Sequence, residues 1–60
     1  MRIGDLVEYV EEAPEFKWLA IVIGDEADEY GTTVVLIQWI TGEYIGDRDY
    51  MRVDHLETIA

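Results

Sequence analysis

The chain has no cysteine and no serine, and only one proline and one histidine. Without cysteine there is neither a disulfide nor a thiolate metal site. With serine also missing, the two commonest side-chain nucleophiles are gone. Basic residues are scarce: four Lys and Arg stand against fourteen Asp and Glu, a formal net charge of −10. A chain so charged repels DNA, RNA and anionic lipid on average, so neither nucleic acid nor a membrane is an expected partner. Long apolar runs are missing as well. The longest spans residues 18–23, far below the ~20 residues of a membrane-crossing helix. No apolar signal segment follows Met1-Arg2-Ile3-Gly4-Asp5, and with no cysteine the expected location is the cytoplasm. No stretch of ten residues keeps an apolar i, i+3, i+4, i+7 pattern, so no long helix is expected.

Half of the residues are apolar, too many for a disordered acidic tail. Sixty residues make one domain, spanning 1–60, that buries only about 60% of its unfolded surface. Glycines at 4, 24, 31, 42 and 46 punctuate short runs rich in Val, Ile, Tyr and Trp, the pattern of strands. Runs over 6–10, 18–23, 33–40, 43–46 and 56–59 predict five strands. The second and third are apolar on both faces, as in central strands. Thr41-Gly42 predicts a tight hairpin turn, and the polar stretch 47–54 predicts a single 3₁₀ turn before the last strand. Segments 11–17 and 24–32 predict surface loops. Five short strands cover their apolar faces only by curling the sheet on itself, which places Val7, Ala20, Val22, Val35, Ile37 and Leu56 in one core.

The order of elements resembles the SH3-like small β-barrels, and more narrowly the tiny bacterial and phage proteins of KOW or Tudor-like type. The residues that carry the likeness are Ile3-Gly4-Asp5-Leu6-Val7, Ala20-Ile21-Val22-Ile23, Val35-x-Ile37-x-Trp39-x-x-Gly42 and Leu56-Glu57-Thr58-Ile59, in that order along the whole chain. The resemblance implies an all-β, five-stranded barrel built as a meander. It does not carry nucleic-acid binding, because KOW modules are usually basic and Trp18-Leu19-Ala20 stands where their glycine would be. The fold by itself names no activity.

Chemistry-bearing constellations are few. His55 is the one side chain titrating near neutrality when unperturbed, and no nucleophile or oxyanion site accompanies it. Asp25, Glu26, Asp28 and Glu29 crowd one loop but lack the glycine and flanking helices of an EF-hand, so they read as a solvated surface. No enzyme activity, cofactor or metal is expected. The aromatics say more. Seven large rings are more than so small a barrel hides, and rings beside carboxylates can cage a cationic side chain, as in Tudor-like readers of methylated Lys or Arg, or simply cap the barrel. Tyr9, Trp18, Trp39, Tyr44 and Tyr50, with Glu11 and Glu12 at their rim, are the expected binding residues. The expected function is a protein-interaction module for a protein or basic peptide. An acidic mimic of nucleic acid and a self-assembling structural subunit are the alternatives. A homo-oligomer burying Trp18 or Trp39 is a further expectation.

Overall fold

The structure, a computed structural model, describes residues 1–10 and 16–59. It is all-β: β1 Leu6–Tyr9, β2 Trp18–Val22, β3 Ala27–Glu29, β4 Thr32–Trp39 and β5 Arg48–Arg52, then a 3₁₀ turn Val53–His55 and β6 Leu56–Thr58. All pairings are antiparallel. β4 pairs with β5 along one edge and with β2 and then β3 along the other; β2 continues to β1 and β1 to β6. The sheet curls into a half-barrel with the 3₁₀ turn ahead of its final strand, the arrangement of an SH3-like barrel.

Alternation explains which residues go inside. Directly paired residues share a face of the sheet. Val7 pairs with Ala20, Ala20 with Trp39, and Val22 with Ile37. With Val35 and Leu56 these form the buried core, so all six core positions read from the sequence lie inside. Trp39 joins them at 7% exposure.

Three local readings are corrected. Residues 43–46 are not a strand. Gly42 and Gly46 both take positive φ (82° and 89°), and the bonds Gly46 N–H to Trp39 O and Asp47 N–H to Tyr44 O fold this stretch into consecutive turns. The strand that follows β4 is instead β5, Arg48–Arg52, in the stretch expected to be a polar 3₁₀ region; the 3₁₀ turn itself is confined to Val53–His55. The tight hairpin is not at Thr41-Gly42 but at Tyr30-Gly31, whose φ values of 51° and 79° match a two-residue turn with both central residues left-handed. That turn folds part of the loop 24–32 back along β4 as a sixth strand, β3.

Thr41 keeps a different role. The Leu19 N–H donates to its Oγ1 (2.8 Å), and its hydroxyl donates to the Lys17 carbonyl (2.8 Å). One side chain thus holds the β4–β5 loop to the start of β2. Thr41→Val conserves the shape and removes both bonds. It is expected to lower stability by about 1–2 kcal/mol, read by chemical denaturation.

Near the last strand, Arg52 Nε and Nη2 donate to the two carboxylate oxygens of Asp54 at 3.1 and 2.6 Å. This bonding, with the charge of Arg52 behind it, holds the Asp54 carboxyl below its ordinary value. A carboxyl lowered on folding contributes stability above its unfolded pKa and loses it as pH falls through the folded one. Arg52→Gln is expected to return Asp54 to the ordinary carboxylate range in an NMR pH titration.

Candidate functional site

The inner face of the sheet runs past the core to the end of the barrel where β1 stops, β2 begins and β4 stops. Tyr9 and Trp18 sit directly opposite each other there, on the face that holds Val7 and Ala20. Trp39 closes the end of β4 on the same face. Tyr44 arrives from the turns between β4 and β5.

These four rings touch in a chain. Tyr9 meets Trp39 edge to face (centroids 6.2 Å, 84°), Trp39 meets Trp18 edge to face (5.8 Å, 75°), and Trp18 stacks on Tyr44 (5.8 Å, 30°). Such pairs add stability beyond the area they bury. Together they line a groove of about 260 Å³. Trp39 is its floor, while Tyr44 is 49% exposed at its lip.

The groove continues at both ends. On one side Phe16, Trp18, Gly42 and Glu43 line a hollow of about 250 Å³, with the Phe16 ring edge-on to Trp18 at 5.0 Å. On the other, Trp39, Tyr44, Asp47, Arg48 and Asp49 line one of about 500 Å³, within the size range of small-ligand clefts. Asp49 pairs with Ile37 and so shares the inner face. An aromatic trough thus has one carboxylate at one end, and two carboxylates with the Arg48 guanidinium between them in sequence at the other. His55 borders it through an edge contact with Tyr9 (6.3 Å), and Val10 N–H bonds to the His55 carbonyl (3.0 Å).

Of the residues expected from sequence, the fold brings Tyr9, Trp18, Trp39 and Tyr44 together. Tyr50 lies apart: it pairs with Leu36 on the outer face and is 65% exposed. Glu11 and Glu12 lie outside the described residues. Phe16, Glu43, Asp47 and Asp49 complete the trough and were not singled out. Phe16 was visible only as one ring among seven, and the three acids as members of a large acidic background. Asp25, Glu26, Asp28 and Glu29 string along β3 and the approach to it. Asp28 accepts a bond from the Thr33 hydroxyl (3.0 Å), and Glu26 accepts one from the N-terminal amine. Among the described residues no group of three or more His, Cys, Asp or Glu is placed to hold a metal ion, and no helix is long and apolar enough to cross a membrane.

Fold and trough together define a small, acidic, SH3-like half-barrel with an aromatic groove at one end. No protein-family model, curated protein or solved structure matches the chain.

Proposed function

We propose that this chain is a non-enzymatic interaction module whose aromatic trough takes a basic segment of a partner protein, in the manner of the Tudor-like branch of small barrels, in the cytoplasm of a bacterium or its phage. One observation carries the reading: four rings from three strands and a loop converge in one groove, with Glu43 at one end and, at the other, Asp47 and Asp49 outnumbering Arg48. Ring faces attract a cation within about 6 Å of their centroids. The flanking carboxylates and the net charge of −10 steer basic ligands toward the groove. A nucleic-acid mimic needs rows of carboxylates and gains nothing from gathered rings.

The test is calorimetric titration with short peptides carrying one central lysine, the same lysine trimethylated, or glutamine. Binding of the two cationic peptides is expected, weakened at least about tenfold by Gln or by Tyr44→Ala, or roughly 1.4 kcal/mol. Equal affinity for the Gln peptide, or no binding of any peptide at millimolar concentration, overturns the proposal.

A further inference from the structure

The hollow at the β5 end of the trough holds charges of both signs that do not neutralise each other. Asp47, Arg48 and Asp49 line it together with Trp39 and Tyr44. The strand sets the three on two sides. Asp49 pairs with Ile37 on the inner face, and the Trp39 N–H bonds to the Asp47 carbonyl (2.9 Å) at the level of the rings. Arg48 pairs with Gln38 and projects from the opposite face, because successive side chains of a strand alternate. β5 pairs with β4 alone, so its first residues are reached from both faces, and all three are exposed. Among the described residues none of these three side chains enters an ion pair or a hydrogen bond, whereas Arg52 is held by Asp54. The ring groove beside this hollow has no charged side chain in its lining, and the two spaces share Trp39 and Tyr44. A segment that fills the groove and continues across β5 therefore meets the carboxylates on the ring side of the strand and the guanidinium on its far side.

We infer that Arg48 sets the specificity of the trough: among segments with a cation over the rings, it selects those with an acidic side chain two residues away over those that are basic throughout. The inference rests on the groove being a site for cationic segments, as proposed above. In an extended chain, residues i and i+2 lie about 6.6 Å apart on the same side. That is close to the 5.8 Å between neighbouring rings of the trough, so the residue two along from the one over the rings reaches the adjoining hollow. A carboxylate there takes a forked pair of bonds from the guanidinium, while Asp47 and Asp49 stay with the cation over the rings. A second cation in the same place meets Arg48 as a like charge, and among the described residues no carboxylate is paired with Arg48 to mask it. The net charge of −10 favours basic segments at long range but is screened beyond about 10 Å at 0.1 M salt. Arg48 acts at contact, where the choice between segments is made.

The experiment is calorimetric titration of the full chain, at about 0.15 M salt, with end-blocked peptides that carry one central lysine. Two residues after that lysine, or in a second series two residues before it, stands Glu, Gln or Lys. In one of the two series the Glu peptide is expected to bind about threefold more tightly than the Gln peptide, the scale of a partly exposed ion pair, and the Lys peptide more weakly than either. Arg48→Gln brings the Glu and Gln peptides level, and Arg48→Glu reverses the ranking, each variant first shown to be folded by circular dichroism. A wild type that binds the Lys peptide as tightly as the Glu peptide in both series overturns the inference and leaves the groove standing as a cation site. So does an Arg48→Glu variant that keeps the ranking of the parent. If none of the peptides binds at millimolar concentration, the groove reading falls and this inference falls with it.

Discussion

Ile37→Ala is expected to lower the unfolding free energy by about 2–5 kcal/mol, the range for truncating a fully buried aliphatic side chain. Ile37 is 0% exposed and sits on β4 opposite Val22 on one side and Asp49 on the other. It is among the largest side chains that the core encloses completely. A domain of 60 residues has a total stability of only about 3–9 kcal/mol by the usual allowance per residue. The variant is thus expected to be largely unfolded at 37 °C or to melt many degrees below the parent. Thermal melting followed by circular dichroism decides it. A variant melting within a degree or two of the parent would contradict the placement of Ile37 at the centre of the core.

Gly42→Ala is expected to damage the groove and the fold together. Gly42 has φ +82°, a conformation that L side chains rarely adopt, and an added Cβ would lie 2.6 Å from Trp18 Cζ3, 2.9 Å from Cε3 and 3.2 Å from Phe16 Cε2. The Trp18 ring has little room to retreat, because it touches Phe16, Trp39 and Tyr44 at once. Crowding a packed site costs about 1–3 kcal/mol, and an alanine at positive φ adds to it. The expected result is a lower melting point, an altered near-ultraviolet indole spectrum and loss of peptide binding. Tyr44→Ala, which trims an exposed ring, is expected to lose binding with little change in melting point. If Gly42→Ala kept both the indole spectrum and the binding, the close approach of this turn to Trp18 would be wrong.

The core was legible because its strands are apolar where they must be. Val7, Ala20, Val22, Val35, Ile37 and Leu56 are spaced so that a period of two puts them inside. Trp39 obeys the same period. Its burial follows from its position two residues after Ile37, although its large ring invites reading as a surface anchor. The two strands that were missed lack that signal. Arg48–Arg52 is an edge strand with Arg, Tyr and Arg facing water, so it needs almost no apolar residues. β3 is Ala-Asp-Glu, wholly exposed, and owes its pairing to the backbone of the Tyr30-Gly31 turn, which does not show the Asn-Gly or Asp-Gly signature of such hairpins.

The groove was legible in its parts and not in its assembly. The rings at 9, 18, 39 and 44 are far apart in the chain, and only the register of β1 on β2 and of β2 on β4 brings the first three together. Tyr44 joins them because Gly42 and Gly46 turn the chain. Across those turns the strand period is lost, and nothing in composition separates Tyr44, which enters the groove, from Tyr50, which faces away. Asp47 and Asp49 likewise owe their position to where β5 begins.

The account rests above all on the groove as the place where a partner binds, and ¹H–¹⁵N NMR of the two indole N–H groups during titration with a lysine-containing peptide tests it most directly. Trp18 and Trp39 are the only tryptophans of the chain, so each signal reports on the groove. The account predicts that both indole signals move saturably, together with the backbone amides of Tyr44 and Asp49, while Leu36 and Tyr50 on the outer face stay still. Indole signals that do not move at millimolar peptide, or shifts centred on Leu36 and Tyr50, would contradict it.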